Sequence, residues 1–472
     1  MYLIPRYIMG LIAAFGALIT SGFFIIYFNM HSAVPVQVSS TVQTSSSTQS
    51  SSVAGRSVNI QVSSTAVTSS STTTSSAADP SSITQVTDSS YYSYISTAQT
   101  DSTTRQSASA ASSATNAATA PTSSFRPAQP AVQSPPQSRV DSVAEKYGAV
   151  GVQVAVIKNG AVKDTFEYGY ATAGSVPMTS DHKIRVASLS KIVVGMNAMK
   201  MQEEGIVDID HPISEYWGEE TYQEVTLKQI FTHTSYLKTN PYVSSMSETL
   251  NQLKSSICFR TTNEWYYNNY ALGIAGSTLE VAAGKTLDSY AKEKFFEPLG
   301  IDAAFNSGLV KNKAMIATLY HPNDTVARLA SVSASMSPRD VGCNTGLFAG
   351  GLTISAGDLA KLTGILANNG TYDGQRYLSE QSVGRMETPY CTPWSRGHSF
   401  MQCVPLRLQT NIYGQSRMYY HLGIAYGTLS YMGYNPDTRD GVVIISTGAS
   451  QSYDSRGIWC ICAELADYFY NN

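Results

Sequence analysis

The chain has 472 residues and a formal net charge of −3 at pH 7, too long for one ordinary domain and too near neutrality for a nucleic-acid footprint. Charged residues make up 14%, against about 25% in an average soluble protein. The deficit falls in residues 1–137, which hold four Arg, three Asp, no Lys and no Glu, so only the remainder has the composition of a folded domain.

Residues 7–29 are uncharged and rich in Leu, Ile, Phe, Ala and Gly. About 20 such residues span a bilayer as a helix, so 7–29 is expected to be an uncleaved anchor. A cleaved signal peptide is the alternative. Its apolar core would be shorter, roughly 7–15 residues, and would end at small residues; His31, two positions before Ala33, fits that poorly. Arg6 faces a distal flank with no charge before Arg56. That places residues 1–6 in the cytoplasm and everything after Met30 outside, as a single-pass protein of the cell membrane. From 37 to 137 Ser and Thr dominate without any apolar period. Such a tract cannot bury enough surface to offset chain entropy and is expected to be a disordered stalk. Pro127, Pro130, Pro135 and Pro136 punctuate its end.

The folded domain is expected over 138–472. A helix is predicted at 139–147. Strands at 151–158 and 162–170 follow, joined by Asn159-Gly160, a strong hairpin signal. A helix is predicted from Ser188 to Glu204, stopped by Gly205. The middle, 210–370, reads as helices and loops, with helices at 272–283, 287–296 and 356–368. Strands return at 418–422, 428–434 and 441–447, and a helix at 455–470 closes the chain. Strands at both ends imply one antiparallel sheet shared by the two termini, flanked by helices and accompanied by an all-helical lobe: an α/β fold.

Three groups of residues carry chemistry. Ser188 and Lys191 stand three apart at a helix start, on one face. An amine able to lose its proton activates a hydroxyl there. Alone, the pair is equally an N-cap serine beside a solvated lysine. Tyr267-Asn268-Asn269 offers a phenol to relay protons and a carboxamide to hold a substrate amide; alone it is an aromatic patch before a helix. His421-Leu422-Gly423 lies on a predicted strand, where a glycine permits close approach of another backbone. Alone it is a half-exposed strand histidine.

The order and spacing of the three groups resemble the serine β-lactamase and penicillin-binding protein superfamily. The similarity is greatest to its class C β-lactamase, D-alanyl-D-alanine carboxypeptidase and esterase branch. Further segments look like that branch: Gly205-Ile206-Val207-Asp208-Ile209-Asp210-His211-Pro212-Ile213, Ile230-Phe231-Thr232-His233-Thr234-Ser235, Phe296-Glu297-Pro298-Leu299-Gly300-Ile301, and Ala349-Gly350-Gly351-Leu352 followed by Asp358-Leu359-Ala360. The resemblance implies that Ser188 is the acylated nucleophile, Lys191 its proton partner and Tyr267 the proton relay. It implies that Asn269, His421 and Gly423 bind substrate, and that the backbone N–H groups of Ser188 and Ile424 form the oxyanion hole. No metal or cofactor is implied.

Two departures stand out. His421-Leu422-Gly423 replaces the Lys-Thr-Gly of many members, so the fixed cation that holds a substrate carboxylate is missing. Tyr236 replaces the usual Gly after His-Thr-Ser. The first departure favours an esterase or D-Ala carboxypeptidase acting on cell-wall groups over a β-lactamase, the alternative within the enzyme class. A catalytically inactive surface-binding domain on a stalk is the alternative outside it. Of the six cysteines, Cys391 and Cys403 are the expected pair, flanking a short loop. No Cys-x-x-Cys or paired-His spacing suggests a metal site.

Overall fold

The computed structural model describes residues 135–218, 225–238 and 258–472. The apolar run at 7–29 and the Ser/Thr-rich tract up to residue 134 lie outside the described residues. Among the described residues, no helix is long and apolar enough to cross a membrane.

Helix α1, Pro135–Lys146, opens the fold. Pro135 and Pro136 therefore begin a helix rather than end a linker. A proline lacks an N–H and has a fixed φ, and both suit the first helical turn. Strands β1 (Gly151–Lys158) and β2 (Ala161–Thr172) form the expected hairpin. Asn159 and Gly160 take φ of 52° and 78°, the left-handed pair that a two-residue hairpin turn requires. A two-residue edge strand β3 (Val176–Pro177) follows, then helices α2 (Ser190–Glu203), α3 (Asn269–Ala283) and α4 (Ala356–Ala367). The chain returns through β4 (Met401–Gln402), β5 (Arg407–Ile412), β6 (Gln415–Ala425), β7 (Thr428–Asn435) and β8 (Asp440–Thr447), and ends in α5 (Cys460–Asn471).

These strands form one eight-stranded sheet in the order β4-β5-β6-β7-β8-β1-β2-β3. β8 pairs antiparallel with β1, with Thr447 opposite Gly151, so the two ends of the domain meet in its centre. Val152, Val154, Val156, Tyr431 and Ile444 pack with α1 and α5 on one face. Ala155, Ile157, Met432, Val443 and Ile445 pack toward α2, α3 and α4 on the other. Cover on both faces explains why β1 reads as an almost unbroken apolar run. Its polar interruption, Gln153, is 2% exposed. The side chain accepts from Ala356 N at 3.0 Å and donates to Thr179 O at 2.6 Å and His182 O at 3.0 Å. It thus ties the first turn of α4 to the sheet.

The differences from the sequence reading have local causes. β4 and β5 carry no alternating pattern: Thr410 and Asn411 are exposed within β5, which is a strand because β6 pairs with it. The last helix starts at Cys460 because Asp454 accepts from Arg456 N and Ile458 N at 2.9 and 3.1 Å, closing a turn ahead of it. The lobe expected to be all-helical also holds short ladders, Ile184–Arg185 with Thr353–Ile354 and Leu319–Tyr320 with Val326–Arg328. Cys391 and Cys403 are thiols. Cys391 faces Gln402 in an isolated bridge, so the next side chain, Cys403, points to the opposite face.

Candidate active site

Ser188 sits in a 3-10 turn, Ala187–Leu189, that leads directly into α2. The turn is sharp, with Ala187 at φ 52°, a left-handed conformation costly for a residue with a Cβ. Both sides of it are anchored. Val186 N donates to Leu352 O at 2.9 Å, and Ser430 Oγ on β7 donates to Val186 O at 2.8 Å. Ser188 itself is 8% exposed.

One helical turn on, Lys191 is fully buried. Its Nζ lies 3.0 Å from Ser188 Oγ and donates to Ala349 O at 2.5 Å. Burial lowers its pKa from the ordinary lysine value. On the other side, Tyr267 OH donates to Ser188 Oγ at 2.8 Å. Burial alone would disfavour the phenolate of Tyr267. The positive charges of Lys191 and Arg407 and its hydrogen bonds outweigh that, so its pKa lies below the ordinary tyrosine value. A hydroxyl between an amine and a phenol, both shifted toward giving up a proton, is equipped for nucleophilic attack.

Asn268 and Asn269 divide the work of the second motif. Asn268 caps α3: its side chain accepts from Ala271 N at 3.0 Å and donates to Leu237 O at 2.8 Å. Asn269, 7% exposed, opens the helix with a buried Oδ1 that has no protein partner. Such an atom costs free energy unless a ligand satisfies it.

The third motif runs along β6. A methyl group at Gly423 would lie 2.5 Å from Val186 O and 3.1 Å from Ser188 N, so only glycine lets the strand approach the nucleophile turn. Ala425 and Thr428 close a two-residue turn, Tyr426-Gly427, with φ of 51° and 74°. Such turns close on a hydrogen-bonded pair, and these pairs alternate along an antiparallel ladder. Ala425, Gly423 and His421 therefore exchange bonds with β7. The N–H of Ile424 emerges on the opposite edge, which β5 leaves uncovered beyond Tyr420. His421 is 1% exposed. Its Nδ1 lies 2.7 Å from Leu422 O, which assigns the proton to Nδ1 and leaves Nε2 as a buried acceptor without a partner. Burial, then the charges of Arg407 and Lys191, hold its pKa well below the ordinary histidine value. It is a neutral hydrogen-bond acceptor in place of a fixed cation.

Two residues that sequence reasoning did not single out complete the site. His233 lies within one of the segments that resemble the family, but its position against Tyr267 has no local signal. The ring centroids are 4.5 Å apart, and its Nδ1 accepts from Asn268 N at 3.2 Å. Arg407, on β5 opposite Tyr420, is 8% exposed, with its Cζ 5.8 Å from the Tyr267 ring and 4.4 Å from Phe400. Only the pairing of β5 with β6 reveals it.

Comparison with known proteins agrees with this geometry. A β-lactamase of Yersinia enterocolitica is 26% identical over 176 residues, covering 34% of this chain and 43% of the relative. The D-alanyl-D-alanine-carboxypeptidase/endopeptidase AmpH of Escherichia coli K12 is 26% identical over 243 residues, covering 47% of this chain and 58% of the relative. The chain thus spans about half the length of these curated relatives. Among solved structures, the D-amino acid amidase of Ochrobactrum anthropi SV3 shares the fold with a TM-score of 0.58 at 22% identity, over 71% of this chain and 96% of that one. The family model described as Beta-lactamase matches residues 137–458, more than half of the sequence, and with Ser188, Lys191 and Tyr267 gathered within its bounds the chain belongs to the β-lactamase family of serine hydrolases.

Proposed function

We propose that the protein is a membrane-anchored, extracytoplasmic acyl hydrolase that works through a Ser188 acyl-enzyme on D-Ala-type acyl groups or related esters of the cell wall. The observation that carries this is Ser188 Oγ within hydrogen-bonding distance of both Lys191 Nζ and Tyr267 OH. Lys191 Nζ, made less basic by burial, takes the Ser188 proton as Oγ bonds the substrate carbonyl carbon. The N–H groups of Ser188 and Ile424 hold the developing oxyanion, an effect worth about 3–4 kcal/mol for one well-placed donor. Tyr267 relays the proton to the departing nitrogen or oxygen as its bond to carbon breaks. Water then repeats the sequence, releasing the acid and restoring Ser188. Asn269 pairs with the acyl amide, Gly423 allows the backbone approach, and His421 accepts a hydrogen bond from substrate.

The D-Ala assignment draws support from a carboxypeptidase relative and an amidase neighbour, both named for D-amino acid chemistry. Anchoring draws support from the composition of residues 7–29, and the stalk from that of 37–134. The test is intact-mass detection of a Ser188 adduct on the full-length chain across D-Ala peptides, D-Ala esters and β-lactams. Adducts that turn over with the first two classes are expected. Cephalosporin turnover typical of a dedicated β-lactamase would replace the reading with that activity. No adduct with any of them, nor with a fluorophosphonate, would leave an inactive surface-binding domain.

A further inference from the structure

Tyr267 lies in a stretch, 260–268, that runs without helix or strand between Cys258–Phe259 and α3. No regular ladder therefore sets where its phenol points, yet that phenol stands 2.8 Å from Ser188 Oγ. The residues on either side of it are gripped from the segment 233–237. Tyr266 N donates to His233 O at 2.8 Å, Asn268 N donates to His233 Nδ1 at 3.2 Å, and Asn268 Nδ2 donates to Leu237 O at 2.8 Å. His233 thus takes the main-chain N–H before Tyr267 with its carbonyl and the one after it with its ring. It is itself fixed. It is 2% exposed, its N–H donates to Ile230 O at 3.0 Å, and Thr232 Oγ1 beside it donates to Lys228 O at 2.8 Å. Its φ of 58° is left-handed, a strained conformation for a residue with a Cβ that the surrounding structure must impose. An N–H aimed at Nδ1 requires that nitrogen to be bare, so the proton sits on Nε2, the opposite tautomer from His421. Nε2 is buried and has no partner among the described residues. That costs free energy which an apolar side chain would not incur. What the polar ring gains over an apolar one is the bond from Asn268 N.

We propose that His233 is a positioning residue for acylation, a two-point clamp that holds Tyr267 against Ser188 through the backbone on either side of it. This deepens the acyl-hydrolase reading and rests on it. The imidazole acts through its bare Nδ1 and transfers no proton. Without that acceptor the N–H of Asn268, a residue 2% exposed, is buried unsatisfied unless residues 266–268 move toward water. The phenol moves with them, and a displacement of about 1 Å at a reacting centre costs on the order of 10²-fold. Asparagine is the nearest substitute. Its Oδ1 stands at the same place along the side chain as Nδ1, accepts a hydrogen bond, and comes with tolerance of a left-handed backbone. Leucine fills similar space without an acceptor.

The experiment uses the full-length chain and p-nitrophenyl acetate, with acylation read from the burst of p-nitrophenolate. His233→Leu should lower the limiting acylation rate roughly 10- to 100-fold and leave the half-saturating concentration within about 3-fold, since a displaced relay slows chemistry rather than binding. His233→Asn should restore the rate to within about 5-fold of wild type. The double variant His233→Leu, Tyr267→Phe should acylate no more slowly than Tyr267→Phe alone, because a residue that works through Tyr267 then has nothing left to position. A residue needed only for the fold, or one touching substrate through Nε2, would add its loss to that of Tyr267→Phe. Nitrogen NMR of the imidazoles in the wild type, with the His233 signals assigned by their loss in His233→Asn, should show a bare Nδ1 and a protonated Nε2. That measurement decides the matter if His233→Leu fails to fold. An unchanged rate in His233→Leu, additive losses in the double variant, no rescue by asparagine, or a protonated Nδ1 would overturn the clamp. Fluorophosphonate labelling of Ser188 separates the two readings. Labelling together with any of those results sinks the clamp alone, and no labelling of the wild type sinks both.

Discussion

Gly423→Ala adds one methyl group where β6 touches the nucleophile turn. That methyl would meet Ser430 Oγ first, and would stand 2.5 Å from Val186 O and 3.1 Å from Ser188 N, where ordinary contact begins at 3.4 Å. Strand and turn must therefore separate by close to ~1 Å, the deficit at Val186 O. Val186 O cannot yield freely, because Leu352 O holds the N–H of the same residue at 2.9 Å, and the methyl also pushes Ser430 Oγ away from its 2.8 Å bond to Val186 O. Ala187, next along, is already in a left-handed conformation. Overpacking of this kind costs about 1–3 kcal/mol. The larger effect is on rate: a displacement of about 1 Å at a reacting centre costs on the order of 10²-fold, and a lost oxyanion donor on the order of 10²–10³-fold. The expected outcome is a fall of roughly 10²–10³-fold in kcat/KM for p-nitrophenyl acetate, with a modest fall in stability by urea unfolding. Gly384→Ala is the control. Gly384 is exposed in the helix Glu380–Glu387, and a Cβ there meets nothing within 4 Å. It should gain about 0.5–1 kcal/mol and leave kcat/KM unchanged. A folded Gly423→Ala protein with wild-type kcat/KM would refute the placement of β6 against Ser188.

Ser188→Ala should abolish adduct formation with an acylating probe while stability shifts by about 1 kcal/mol, since a hydroxyl with two partners is lost; an adduct of unchanged yield would mean another nucleophile. Stability should fall on acidification through His421 and His233. Burial, with the charges of Arg407 and Lys191, holds both pKa values well below the ordinary one, so the native state stays unprotonated where the unfolded chain takes up protons below about pH 6.5. Each imidazole then contributes a loss of roughly 1.4 kcal/mol per pH unit. Urea midpoints measured on either side of about pH 6.5 should differ more in wild type than in His421→Gln, and equal differences would exclude the effect. On intact cells, protease is expected to cut within residues 40–134 and release a compact fragment beginning near Pro135; protection of that stretch would contradict an extracytoplasmic domain.

What was legible in the sequence was local. Ser188 and Lys191 are one helical turn apart, so their meeting needs only the helix. Asn159-Gly160 specifies a hairpin by its own backbone preferences. The apolar runs at 151–158 and 441–447 announce central strands because both faces of the sheet are covered. Motif order along the chain also pointed to Tyr267 and His421, although 79 residues separate Tyr267 from Ser188. The tertiary structure alone decided the rest. The burial that makes His421 neutral comes from elements distant in sequence. Arg407 reaches Tyr267 only because β5 pairs with β6 in one register, and a one-residue slip would turn its side chain to the other face. Charges drawn together from separate elements leave no spacing in the sequence, since their proximity is set by strand pairing and packing rather than by the periodicity of any one segment.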